Sequence, residues 1–373
     1  MILHAQGLVG SSSAVQLALW EEIKGNTAGK RSSRASTFCQ SAPCPSFRNM
    51  IAETCPKRAL VKRSSVFCWC SYPTALKDAL NAHLTSAVDV VTAGTEADIQ
   101  ERIIASLNDA VPPVVLVKNA QHWVIVFGHN PEAKYPVKIR DTQFPGRIGI
   151  TMSKWKATYL TVAPCGQFKN LCVIVGSDLG APPPPPPSPP PVVNPGLPGP
   201  NHMALLPPDV IRQRAIDEAR DLARQSEWRA AFGSAQPRKP LLVRNPDTGD
   251  AESYIVDFRT GDRPTGRMLI DPRTGVPDEM AAVEADDASL QPFLTPDEVV
   301  TLLERGFSDS TIGAITLKPG GYTLDDDLVW APCDQSHSAF QPFYVVRYDG
   351  RILYVRVDGR IFSGPLTHDG AGA

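Results

Sequence analysis

The sequence predicts an α+β protein of two folded domains held apart by a spacer, and three observations carry that reading. Helical patterns precede a dense group of β-branched strands in the first half, a proline tract interrupts the middle, and a helix followed by antiparallel strands recurs in the second half. The domains are expected at residues 1–178 and 203–373, with a proline-rich linker at 179–202. The second is expected to hold two smaller helix-plus-sheet copies, 203–290 and 291–373.

Formal net charge is only −2, but it is unevenly spread. Residues 1–180 carry +7 and the remainder −9, so the halves are expected to attract each other in a contact that salt screens. The positive charge is too diffuse for a nucleic-acid footprint: its densest parts, Lys30 to Arg34 and Lys57 to Arg63, have no interleaved aromatic platform. No apolar run reaches the length of a membrane span, so neither nucleic acid nor membrane is an expected partner. Met1 to Val9 has no basic n-region and no cleavage site, which predicts a cytoplasmic protein or one exported by a route not written there.

The first helix is predicted from about Ser12 to Gly25 through Val15, Leu17, Ala18, Leu19 and Trp20. A polar, basic loop follows at Asn26 to Thr37, then a short helix between Phe47 and Leu60. Pro73 to Leu84 repeats Ala75, Leu76, Leu80 and Leu84 on one helical face, and Glu96 to Leu107 does the same with Ile99, Ile103, Ile104 and Leu107. Between them Val88 to Val91 reads as a strand. Pro112 and Pro113 stop the second helix before the strands Val114 to Val117, His122 to Gly128 and Val137 to Asp141. Trp155 to Val162 and Leu171 to Val175 read as closing strands.

The chemistry concentrates at Gln6, Ser12, His122 and Asp141. Acyl transfer needs a nucleophile at a helix N-terminus, where backbone N–H groups favour a developing anion, and a side-chain donor that shares the oxyanion. Ser12 and Gln6 have those positions; His122 heads a strand and Asp141 ends the next, as a base and its orienting group would. The order Gln-Gly-x-x-Gly-Ser-nucleophile-x-Ala from Gln6 to Ala14, with His-x-Val-x-x-x-Gly at 122–128 and Asp141 nineteen residues on, resembles the compact bacterial papain-like cysteine peptidases. The resemblance covers about residues 1–176. It implies a peptide or protein substrate, a Cys-His-Asp mechanism and no cofactor.

The sequence departs from that family at the decisive position. Ser12 stands where the family has cysteine, either because the thiol has been lost or because cysteine has been replaced, and an alkoxide is far harder to form than a thiolate. Catalysis by the chain as it stands is therefore expected to be severely impaired. A binding protein that keeps the cleft without the chemistry is the alternative, and a deamidase or transglutaminase would use the same residues. Cys68-Trp69-Cys70 is a rival nucleophile site without a glutamine six residues ahead. Seven of the eight cysteines precede residue 173. The group Cys39, Cys44, Cys68 and Cys70 lacks paired Cys-x-x-Cys knuckles, so no metal is expected there.

Pro182 to Pro187, Pro189 to Pro191 and the prolines up to Pro200 predict a semi-rigid spacer. Beyond it come a helix from Asp209 to Phe232 and strands at 241–244, 253–258 and 267–271, then a helix from Pro296 to Arg305 and strands at 343–347, 352–357 and 360–362. The layout, with the turn Ile270-Asp271-Pro272-Arg273-Thr274-Gly275, weakly resembles PepSY or cystatin-like modules, which implies a domain that binds substrate, a regulator or a partner. Cys333 to His337 reads as a structural loop with Cys333 as a buried small hydrophobe, and Asp325-Asp326-Asp327 as a solvated acidic turn.

Overall fold

A computed structural model describes residues 73–83, 87–109, 111–118, 122–141, 144–161, 171–176, 204–283, 293–309, 313–333, 335–336, 338–363 and 366. The chain separates into two compact units, the first of Met1–Thr142, Ile150–Pro190 and His368–Ala373 and the second of Gln143–Gly149 and Pro191–Thr367. Each is an α+β assembly.

The first unit runs α1 (Pro73–His83), β1 (Val88–Ala93), α2 (Glu96–Asn108), β2 (Val114–Val117), β3 (His122–His129) and β4 (Val137–Asp141). The next strand, β5 (Phe144–Ile150), is followed by α3 (Met152–Lys154), which widens into one π turn over Trp155–Tyr159, and by β6 (Leu171–Gly176). The sheet order is β1-β6-β2-β3-β4, antiparallel at every joint. Both faces are covered. Leu76 and Leu80 of α1 pack with Val88, Val114, Leu116, Trp123, Cys172 and Ile174 on one face. By strand alternation Val115, Val117, His122, Val124, Val126, Ile139, Asp141 and Val173 share the other. Thr95 caps α2 by accepting from the Asp98 N–H, which starts the helix where the strand pattern ends.

Trp155 to Val162 is helical at its start rather than a strand. The Thr151 hydroxyl accepts from the Lys154 N–H, and Trp155 and Tyr159, four residues apart, stack at 5.4 Å and bury both rings. Aromatic and β-branched residues gave that stretch a strand-like composition, and the side-chain packing overrides it.

The second unit runs α4 (Pro208–Ala223), α5 (Arg229–Phe232), β7 (Gln236–Pro237), β8 (Leu241–Arg244), β9 (Ala251–Thr260), β10 (Arg263–Ile270), β11 (Pro277–Ala282) and α6 (Pro296–Arg305). Then follow β12 (Phe307–Asp309), β13 (Gly313–Ile315), β14 (Thr323–Leu324), β15 (Leu328–Val329), β16 (Phe343–Tyr348), β17 (Arg351–Arg356) and β18 (Ile361–Ser363). Its sheet reads β5-β11-β10-β9-β8-β15-β16-β17-β18, with β7 beside β9 and β14 beside β16, while β12 and β13 form a separate hairpin. The single helix expected from Asp209 to Phe232 is broken. Turns at Arg224–Trp228 redirect the chain so that Trp228 and Phe232 enter the core instead of lying on the exposed side of a long helix.

This unit is built twice. β8 to β11 step outward from the centre on one side and β15 to β18 on the other, joined by a parallel pairing of β8 with β15. Tyr254 Oη donates to Leu206 O, and Tyr344 Oη donates to Leu294 O. Leu206 N–H donates to Pro272 O, and Leu294 N–H to Val357 O. Following the register from Tyr254 through Leu242, Arg244 and Val329 to Phe343 puts Tyr344 on the face opposite Tyr254. The segment leading into α4 therefore lies on one face and the segment leading into α6 on the other, as a twofold axis along the strands requires.

Candidate functional site

His122 is the first residue of β3, directly across from Val117 at the end of β2. Asp141 is the last residue of β4, across from Val124. Residues 122 and 124 point to the same side of β3, so Asp141 is the diagonal neighbour of His122 on that face. The His122 Nε2 and Asp141 Oδ1 atoms are 2.9 Å apart, and the side chains are 0% and 1% exposed. A carboxylate only accepts, so with Asp141 ionised the ring carries its hydrogen on Nε2 and Nδ1 is the basic nitrogen. The pair lies on a face otherwise lined by aliphatic side chains, where a polar contact is strong and its loss costly.

The corner before His122 is tightly specified. Lys118, the residue after β2, has a left-handed φ of 55° and is 3% exposed. Its N–H donates to Tyr159 O at 2.9 Å, and its ammonium lies 4.7 Å from the centre of the Tyr159 ring. Trp155, stacked on Tyr159, donates its indole N–H to Gln100 Oε1 on α2. A buried lysine in a conformation that side chains disfavour is held by its surroundings. The sequence offered no signal for it beyond its place between the strands expected at Val114 to Val117 and His122 to Gly128.

The structure brings His122 and Asp141 together. Gln6 and Ser12 lie outside the described residues, as do the helices expected at Ser12 to Gly25 and Phe47 to Leu60, the linker 179–202, Cys68-Trp69-Cys70 and the Cys39 and Cys44 part of the cysteine group. Among the described residues no three His, Cys, Asp or Glu side chains are placed to share a metal ion. No described helix is long and apolar enough to cross a membrane.

The other sequence candidates have structural surroundings. Cys333 is buried and exchanges two backbone hydrogen bonds with Ser336, whose hydroxyl donates to Ser338 O; Asp334 and His337 lie outside the described residues. Asp325 pairs with Arg347 at 2.9 Å and Asp327 with Arg244 at 2.6 Å. Burial pushes the Cys172 thiol up to about 12, which removes it from nucleophilic chemistry at neutral pH.

No protein-family model matches the chain, and no curated protein matches it. Among solved structures it is similar to the Bacillus megaterium YpeB C-terminal domain, with 10% identity over 77% of this chain and 92% of that one and a TM-score of 0.16. Similarity at that level carries no argument about fold or function.

Proposed function

We propose that the first unit is a papain-like acyl-transfer scaffold acting on peptides. The observation that supports it is the buried His122–Asp141 contact, Nε2 to Oδ1 at 2.9 Å. In this reading a nucleophile at position 12 attacks a peptide carbonyl, and His122 Nδ1 takes its proton and returns it to the leaving amine. Asp141 holds the imidazole in the required tautomer, and Gln6 with the backbone N–H of residue 12 stabilises the oxyanion. With Ser12 in place the first step is crippled, because a site suited to a thiolate–imidazolium pair gives little help to an alkoxide.

Ser12 itself favours a second reading, a peptide-binding protein that keeps the cleft and has lost the chemistry. One experiment separates the two. The Ser12→Cys chain is incubated with iodoacetamide at low concentration and the labelled peptides are read by mass spectrometry, beside the same variant carrying His122→Ala. Fast labelling of the new thiol that disappears with His122→Ala supports the acyl-transfer site. Labelling no faster than that of an ordinary exposed cysteine in both chains rejects it in favour of a binding role.

A further inference from the structure

The chain leaves the first unit directly after Asp141 and re-enters it directly before the segment that supports the corner at His122. Asp141 closes β4, and three residues later Phe144 opens β5, whose residues Gln143–Gly149 belong to the second unit. From Ile150 the chain is in the first unit again. Thr151 caps α3, and the π turn after it brings Tyr159 O to the Lys118 N–H at 2.9 Å, in the corner ahead of His122. The two ends of β5 therefore lead into the two segments that hold the His122–Asp141 pair.

Between those ends β5 is fixed along its length. The Phe144 ring, 1% exposed, lies 5.2 Å from the Phe340 ring and 5.6 Å from the Arg267 guanidinium. That guanidinium also lies 4.9 Å from the Phe293 ring, donates to Phe340 O at 3.0 Å and pairs with Asp257. Two residues on, Gly146 has φ 121°, and a Cβ there would collide with Ala282 O on β11, so neither the backbone nor the neighbouring strand leaves room for a side chain. The Arg147 guanidinium lies over the Trp228 ring at 6.0 Å, and Ile148 is 0% exposed. A slot of close-packed buried rings around a paired arginine passes a displacement on and does not absorb it.

We propose that Phe144 is a positioning residue for the candidate site: by seating β5 in the second unit it fixes the end of β4, and with it the Asp141 carboxylate that orients His122. The proposal rests on the acyl-transfer reading and makes the second unit a working part of that site. Misplacing a reacting group by about 1 Å costs about a hundredfold in rate, so a loosened seat at Phe144 is felt at the imidazole.

The test reads the ring itself. Full chains labelled with nitrogen-15 histidine are compared by NMR at about pH 8, where an ordinary imidazole is neutral, and the His122 signals are assigned by their loss in His122→Gln. The unaltered chain is expected to show one tautomer, with its hydrogen on Nε2. In folded Phe144→Ala the two ring-nitrogen shifts are expected to move toward each other as the tautomers mix. Leu353→Ala, which opens a cavity at a buried position near the far end of the same sheet, is expected to leave them apart, whereas a general loss of stability would act in both. Phe144→Leu keeps an apolar side chain in the slot and is expected to give a smaller movement in the same direction; it decides the matter if Phe144→Ala does not fold. Unmoved shifts in the folded Phe144 variants, or equal movement in Leu353→Ala, overturn the proposal. In the Ser12→Cys background Phe144→Ala is expected to slow iodoacetamide labelling about tenfold to a hundredfold. Labelling that never depends on His122, with shifts that move as expected, rejects the acyl-transfer reading and leaves Phe144 as the residue that orients His122. Labelling that depends on His122, with unmoved shifts, overturns the proposal alone.

Discussion

Nε2 of His122 and Oδ1 of Asp141 meet at 2.9 Å because one residue opens β3 and the other closes β4, and the register of the two strands makes them diagonal neighbours on a buried face. The contact is a product of strand pairing. It fixes the imidazole by a carboxylate that, when ionised, can only accept.

Asp141→Asn keeps the volume and tests that dependence. An amide reaches the ring with a weaker hydrogen bond and can present its NH2 to the wrong partner, so we expect a loss of about 1–3 kcal/mol of stability. Urea unfolding of the variant beside the unaltered chain measures it.

Asp257 lies between two buried arginines, 2.7 Å from Arg259 Nε and 3.4 Å from Arg267 Nε. Asp257→Ala strands two guanidinium groups away from water and should cost about 3–5 kcal/mol, far more than the loss of one exposed pair such as Arg220–Asp217. Denaturant midpoints of Asp257→Ala and Asp217→Ala make the comparison.

The duplicated plan of the second unit predicts duplicated energetics. Tyr254→Phe and Tyr344→Phe each remove a hydroxyl that donates to the carbonyl just ahead of a helix, at 3.1 and 2.6 Å. Each should cost about 0.5–1.5 kcal/mol, with the deeper Tyr344 at the upper end, because the carbonyl it leaves is harder for water to reach. Melting temperatures of the two variants check the order.

Acid should weaken the second unit through Asp271 and Asp358. Burial pushes both carboxyls up. Hydrogen bonds from Thr274 and the Arg273 N–H outweigh it at Asp271, and those of Arg356 with its charge outweigh it at Asp358, so both end below the ordinary aspartate value of 3.8. Groups with a depressed folded pKa stabilise above the unfolded value, and that contribution is lost as pH falls from about 3.8 through the folded value. Asp271→Asn with Asp358→Asn should therefore flatten the drop in melting temperature below pH 4 while leaving the chain less stable at pH 7.

The sequence disclosed what is written in local pattern. Ile99 and Ile103 recur at helical spacing and are buried in α2; the run from Val114 to Val117 and its partner from His122 form the hairpin they suggest; His122 and Asp141 were legible from their places at strand ends. What it hid depends on packing between distant residues. Phe144 to Ile150 contains proline and two glycines and gives no alternating signal, so nothing local marks it as a strand seated beside β11. Trp155 to Val162 has strand-like composition, yet the stacking of Trp155 on Tyr159 makes it a helical turn. Lys118 is buried because Tyr159, forty-one residues later, folds over it, which no local rule records.

The most direct test of the central claim is the pH dependence of alkylation at position 12. In the Ser12→Cys chain the thiol should react at a rate that stays high well below pH 7, because the His122 imidazolium, oriented by Asp141, stabilises a thiolate there; adding His122→Ala should move the profile to that of an ordinary thiol near pH 8.5. Cys172, buried and pushed up to about 12, serves as the unreactive internal reference. A profile centred near 8.5 in both chains would contradict the account and leave His122 and Asp141 as a buried structural pair.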